Sequence, residues 1–188
     1  MRIISGKARG TKLYTLEGLT TRPTLDRVKE SIFNIIQSQI QDSTVLDLFA
    51  GSGAIGLEMV SRGASKAILC DKSKDAMEII EKNIEKTHMK DKVELYNLDF
   101  ENCIDKVKKI KFDIIYLDPP YNTNYISKAL NKIVDLDIVK QEGLIIVETD
   151  DEPRILKEID KIKVKIVDKR KYGRATIIFL KLGIPRKG

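Results

Sequence analysis

The segment Leu117-Asp118-Pro119-Pro120-Tyr121-Asn122 places an acid, two prolines, an aromatic ring and an amide at the end of an apolar run. Together these residue types can act on a weakly nucleophilic amine. An exocyclic amine on a purine or pyrimidine has its lone pair delocalised into the ring. The Asp118 carboxylate and the Pro119 carbonyl can accept its two hydrogens, which favours a pyramidal nitrogen and frees that lone pair. The proline pair fixes the carbonyl, because proline locks its own φ and restricts the residue before it. Tyr121 offers a face for stacking, worth about 1–3 kcal/mol per base in single-strand binding. Taken alone, the segment can also be a rigid turn that caps a strand, with Asn122 as a turn residue.

A second group lies upstream. Asp47-Leu48-Phe49-Ala50-Gly51-Ser52-Gly53 closes another apolar run, and Gly51 to Gly56 (GSGAIG) matches G-x-G-x-x-G, with Asp71 about 20 residues on. That spacing suits a dinucleotide, so an NAD-binding oxidoreductase is a rival reading. Two features oppose it. Asp47 stands where a pyrophosphate would be repelled and an ammonium attracted. The sole histidine, His88, sits in a charged turn (THMKDK) and offers no hydride-transfer acid.

The acids that close successive strand-like runs are Asp47, Asp71, Asp99 and Asp118. A single Asp there is usually a turn former. Four in register point to a ligand beyond the carboxyl ends of a parallel sheet. A ligand with ribose hydroxyls for Asp71, an adenine amine for Asp99 and a cationic aminoacyl tail for Asp47 is S-adenosylmethionine. Its methyl donor is a sulfonium, so positioning supplies much of the catalysis and no metal is required.

The elements that must hold these residues can be read from periodicity. Leu25, Val28, Ile32, Ile35, Ile36 and Ile40 recur at helical spacing, predicting a helix from the RPTLDR entry to about Gln41. Strands are expected at 44–49, 66–71, 92–97, 112–117, 143–149, 162–170 and 174–182. Helices are expected after the glycine loop to Arg62, over 73–86, 124–138 and 152–160, with a short helical or irregular piece between the third and fourth strands. Alternating strands and helices imply right-handed crossovers and a parallel sheet covered on both faces. The last two strands are joined too tightly for a crossover and form an antiparallel hairpin, turned by Tyr172-Gly173. The expected fold is therefore α/β and Rossmann-like: a mostly parallel seven-stranded sheet, a C-terminal hairpin and a short basic N-terminal hairpin. The 188 residues suffice for one such domain at 23–188, preceded by a basic extension at 1–22.

Bulk composition narrows the class. A hydrophobic content of 42% with 33% charged residues describes a soluble globular chain. No apolar run approaches bilayer length, and Met1–Gly10 lacks a signal-peptide core. Cys70 and Cys103 have no second pair at metal-ligand spacing. A cytoplasmic, reduced, metal-free protein is expected. The net charge of +6 is unevenly spread: residues 1–22 carry +4 and residues 161–188 carry +9, leaving −7 for the 138 between. Basic ends around an acidic body suit a polyanion site, although solvated lysines alone would give a similar count.

These motifs resemble known families at two levels. VLDLFAGSG resembles the class I S-adenosylmethionine-dependent methyltransferases, and DPPY their signature for methylation of planar nitrogens. By that resemblance Phe49, Ala50, Gly51, Ser52 and Gly53 pack against the methionine part, and Asp47 orders the loop and the aminoacyl end. Asp71, followed by Lys72, takes the ribose, while Asp99 and Phe100 read the adenine edge. Asp118, Pro119, Pro120 and Tyr121 form the catalytic clamp. DPPY is shared by enzymes acting on adenine N6, cytosine N4, guanine N2 and protein glutamine, so it does not select the base.

The opening MRIISGKARGTKL and TRPTLDRVKESIFNII, with VLDLFAGSGAIGLEMVSRGA and the terminal KYGRATIIFL, resembles the RsmD family of bacterial 16S rRNA guanine-N2 methyltransferases. The resemblance spans nearly the whole chain. It implies S-adenosylmethionine as methyl donor, S-adenosylhomocysteine as product and one 16S rRNA guanine as target, within a 30S particle or assembly intermediate. A monomer acting away from membranes is expected. Lys7, Arg9, Arg22, Arg27, Tyr172 and Arg174 would then bound the RNA cleft. The alternatives are an adenine-N6 methyltransferase on RNA or DNA with the same pocket, the NAD-binding oxidoreductase, and an RNA-binding assembly factor with a vestigial pocket.

Overall fold

A computed structural model describes residues 1–16 and 23–183, with the backbone alone for residues 23–25. Seven apolar runs form β1 (Thr44–Asp47), β2 (Lys66–Cys70), β3 (Val93–Tyr96), β4 (Phe112–Leu117), β5 (Val139–Thr149), β6 (Val164–Tyr172) and β7 (Ala175–Leu182). Between them lie α2 (Ala54–Ser61), α3 (Lys74–Thr87), α4 (Phe100–Val107), α5 (Tyr125–Leu136) and α6 (Glu152–Ile159), after an opening α1 (Pro23–Ile36). The sheet order is β3-β2-β1-β4-β5-β7-β6, parallel from β3 to β5, with β7 antiparallel to both β5 and β6. The arrangement is the Rossmann-like class I fold that the alternating pattern predicts.

Strand parity decides which side chains meet. Side chains alternate across a sheet, so Val45, Leu69, Tyr116 and Ile146 join one core with α1, α2 and α3. Leu46, Ile68, Ile115, Leu117 and Val147 join the other with α4, α5 and α6. Gly56 permits close packing on the first face, since a Cβ there would lie 2.2 Å from the Leu69 side chain.

Boundaries shift in three places. The α-helical part of α1 ends at Ile36 and continues as a 3-10 turn over Gln37–Gln39. The fifth strand starts four residues early, at Val139, because that residue pairs with Phe112 before a bulge resets the register to Ile114 with Leu144. The final turn is Gly173-Arg174 rather than Tyr172-Gly173, because Tyr172 pairs with Ala175 and Gly173 takes the left-handed φ of +60°.

The N-terminal segment folds into a hairpin joined by an Arg2–Lys12 bridge, with Ile3 and Leu13 buried in the first core. It packs onto the last turn of α2. The Ile4 and Ser5 N–H groups donate to the Glu58 carboxylate at 2.8 and 3.1 Å, and the Lys7 N–H donates to the Ser61 carbonyl at 2.9 Å. Gly6 is required there, since a Cβ would fall 1.8 Å from the Ser61 oxygen. Glu58 is fully buried and also holds Lys29 of α1 at 2.9 Å and Arg62 at 2.8 Å. At the other end of the arm, Asn83 of α3 exchanges hydrogen bonds with the Tyr14 backbone and donates to the Ser52 carbonyl.

Candidate functional site

Beyond the carboxyl ends of β1, β2, β4 and β5 lies a cavity of about 510 Å³. That volume falls within the size range of small-molecule sites. Its wall includes Asp47, Phe49, Ala50, Gly51, Ser52, Asp71, Lys72, Asp99, Phe100, Asp118, Pro119, Pro120 and Tyr121. Two loops far apart in sequence thus meet because β1 and β4 are neighbours, with Asp47 paired to Tyr116.

The glycine loop is tied down by the acids beside it. Asp47 accepts the Phe49 N–H at 3.1 Å, and Asp71 accepts the Gly51 and Ser73 N–H groups at 2.9 Å each. Loop ordering, which the sequence assigns to Asp47, is therefore shared with Asp71. Gly53 closes the loop in a left-handed conformation beside Ile80 and does not line the cavity. Asp99 caps α4, accepting from the Asn102 N–H and side-chain amide at 2.9 and 2.8 Å. Its neighbour Phe100 forms a ring cluster with Phe49 and Tyr125, at centroid separations of 4.9 to 6.1 Å. Lys72 lies over the Tyr125 ring at 5.9 Å.

The DPPY segment is fixed from several directions. Pro119 is buried, Asn122 adopts a left-handed φ of 56°, and the Thr123 hydroxyl donates to the Pro120 carbonyl. Arg154 of α6 donates to the Thr123 carbonyl at 2.8 Å. Tyr121 stands at the rim with 71% of its surface exposed.

Electrostatics distinguish the floor of the cavity. Asp47 is 3% exposed, and burial pushes its carboxyl up to about 7 against the pull of the Phe49 N–H, with Asp71 and Glu148 adding to the rise. Asp118 keeps an exposed surface that opens onto the cavity. The protein packed around its carboxyl, then Glu148 and Asp47, raise it above the usual range. Burial, followed by Glu148, Asp118 and Asp47, raises the Tyr116 hydroxyl, so it stays protonated. Such an uncompensated acidic floor is ready for a cation and disfavours a pyrophosphate.

Several wall residues were not legible beforehand. Glu148 sits in a buried-strand run (GLIIVET), where one acid reads as a strand end. Lys29, Val28 and Ile32 of α1 also line the cavity, as do Met1, Tyr116 and Tyr125. Alternation from Tyr116 to Asp118 was available as a signal; the pairing with β5 was not.

The expected RNA contacts fall into separate places. Tyr172 precedes the β6–β7 turn and Arg174 lies in it, and the start of β7 pairs with Thr149, at the cavity end of β5. Neither lines the cavity, and Tyr172 packs on the first core. Arg27 is exposed on α1, outside the cavity wall. Lys7 lies in a polar groove with Ser61, Arg62 and Gly63, near the amino end of β1, and Arg9 follows it in the hairpin. Arg22 lies outside the described residues. Among the described residues no His, Cys, Asp and Glu cluster could hold a metal, and no helix is long and apolar enough to cross a membrane.

Comparison with known proteins places this arrangement. A family model described as Conserved hypothetical protein 95 matches residues 1–181. The Haemophilus influenzae protein named Ribosomal RNA small subunit methyltransferase D is 36% identical over 164 residues, covering 84% of this chain and 83% of that one. The Escherichia coli K12 protein of the same name is 34% identical over 150 residues, covering 80% and 75%. Among solved structures, the Escherichia coli protein yhhF superposes with a TM-score of 0.84 at 26% identity, covering 98% of each chain.

Proposed function

The chain belongs to the RsmD family, whose model is described as Conserved hypothetical protein 95, and from that premise we propose that it is an S-adenosylmethionine-dependent rRNA methyltransferase. Its target in this reading is the N2 amine of one guanine in 16S rRNA, met in a 30S particle or assembly intermediate by a monomer in the cytoplasm. The observation that carries the reading is the convergence of the glycine loop, the strand-end acids and the DPPY clamp on one cavity. The small-subunit rRNA substrate follows the names of the relatives, and the guanine follows the family resemblance.

The wall fits the methyl donor. The buried Asp47 carboxyl has a backbone N–H as its partner and acids as its neighbours, which suits a cationic aminoacyl end. Asp71 faces the cavity where ribose hydroxyls can be accepted, and the Phe100 side supplies an apolar wall for adenine. S-adenosylmethionine supplies an electrophilic methyl group on its sulfonium. Asp118 and the Pro119 carbonyl accept the hydrogens of the target amine, and Tyr121 stacks on its base. The target is unpaired or flipped, because a paired amine is engaged in the duplex. Arg27, Tyr172 and Arg174, with Lys7, Arg9 and Arg22, are proposed to steer and hold the RNA backbone.

The test is transfer of labelled methyl groups to naked 16S rRNA and to 30S subunits, followed by mass spectrometry of nucleosides. N2-methylguanine in the product is expected. N6-methyladenine would assign the same pocket to the other base. Calorimetric binding of NAD without binding of S-adenosylhomocysteine would overturn the reading altogether.

A further inference from the structure

One acid at the floor of the cavity has no role in the clamp just described. Glu148 is the penultimate residue of β5, one position beyond the Leu117–Val147 pair, and so stands beside Asp118. Strand parity turns Tyr116, Asp118 and Glu148 to the same side of the sheet as Asp47. Glu148 raises both the Asp118 carboxyl and the Tyr116 hydroxyl from across the strand pair, so the three groups face one another. All four residues line the one cavity.

We propose that Glu148 is the positioning and proton-holding partner of Asp118, the two carboxyls sharing one proton in the resting site. The inference rests on the methyl-transfer reading above. Two carboxylates in contact cannot both ionise at little cost, so a single proton stays between them. The surrounding charges reinforce this. Asp47 and Asp71 face the cavity from the ends of β1 and β2, and Tyr116 faces it from β4. The cavity-lining cations among the described residues are Lys29 of α1, paired with Glu58, and Lys72, over the Tyr125 ring. Asp99, Tyr121 and Tyr125 line the remaining wall.

With the one proton held between the two carboxyls, the Asp118 oxygen turned away from Glu148 is held in place to accept an amine N–H. When the nitrogen lone pair forms the new N–CH3 bond, the S–CH3 pair leaves with sulfur, and the nitrogen becomes positive. The extra proton on nitrogen passes to Asp118. The pair then holds two protons and returns one to water through the open cleft.

The test is a carboxyl NMR titration of 13C-labelled protein, joined to single-turnover methyl transfer across pH, on wild type, Glu148→Gln and Glu148→Asp. In wild type, one proton of the pair should persist well above the range of the exposed carboxyls. Glu148→Gln keeps the shape but removes the shared charge. It should return Asp118 toward the ordinary range and move the acid limb of the rate profile to lower pH. The rate should fall about 10²-fold, with S-adenosylhomocysteine affinity unchanged. Glu148→Asp should keep the raised titration and recover part of the rate. Wild-type carboxyls that all titrate in the ordinary range would overturn the proposal, as would a Gln variant with the wild-type rate and profile. Equal losses in both variants with an unmoved acid limb would show a merely structural role. Absence of methyl transfer by wild type to either RNA substrate would sink the proposed function instead, and the titration would still decide the pair.

Discussion

Glu58 and Asp47 are both carboxyls with almost no surface in contact with water, yet their surroundings push them in opposite directions. Burial alone would raise Glu58, but Lys29, Arg62 and the Ile4 N–H outweigh it and hold its carboxyl below the ordinary range. Burial lowers Lys29 as well, more strongly than Glu58 restores it, so the pair depends on its good geometry. Asp47 has one N–H partner and further acids beyond it, and its carboxyl rises to about 7. The first site is a closed joint between arm, α1 and α2. The second is an open acidic floor whose missing positive partner is what a cationic ligand would bring. Compensation, rather than burial, separates a structural charge from a functional one.

The sharpest way to break this contrast is to strip the joint. Glu58→Ala leaves Lys29 buried without its partner and releases the Ile4 and Ser5 N–H groups. A loss of about 3–5 kcal/mol is expected in urea unfolding. An unchanged midpoint would mean that the joint carries no stability. At the cavity the opposite should hold. Asp118→Asn is expected to slow methyl transfer by about 10²-fold or more, with stability equal to or above that of wild type, because an uncompensated acid has been removed. A variant that unfolds more easily would place Asp118 with the structural charges.

The two regions should also respond oppositely to pH. Asp47 titrates near 7 when folded and about 3.9 when unfolded. Its contribution to stability is complete below the unfolded value and is lost as pH rises toward 7. Glu58 is depressed, so its contribution is present above about 4.3 and is lost as pH falls through its folded value. Denaturation midpoints across pH should therefore decline less steeply toward pH 7 in Asp47→Asn, with the remaining decline carried by Asp118, and keep their acid decline. For wild type, calorimetry in buffers of different ionisation enthalpy should show proton release on S-adenosylhomocysteine binding near pH 7. The same affinity in Asp47→Asn, with no proton released by either protein, would remove Asp47 from the ligand. The smallest effect is the surface control. Lys111 and Asp137 pair at 2.7 Å with both side chains more than half exposed. Lys111→Ala should change stability by about 1 kcal/mol or less in the same unfolding measurement.

Much of the cavity was legible because strand ends carry their chemistry locally. Asp47, Asp71, Asp99 and Asp118 each close an apolar run, and the fold gathers all four at one wall. Asp99 also shows the limit of that reading, since both its oxygens are engaged in capping α4. Glu58 and Asn83 were hidden, because a charged or amide residue within a helical pattern reads as solvated. Only the arm folding back over α2 and α3 makes them buried anchors. The basic N-terminus was legible as charge and not as placement: the hairpin tip with Lys7 lies near the amino end of β1, while Met1 at its base lines the cavity.

By itself the sequence determined the alternation of strands and helices, the glycine loop and the DPPY clamp, since periodicity and turn chemistry act over a few residues. The tertiary structure decided which acids share a floor. Glu148 lies thirty positions from Asp118 in the chain and becomes its neighbour through the β4–β5 register. A carboxyl's state depends on charges and solvent within a few ångströms, and that neighbourhood exists only once the strands are side by side.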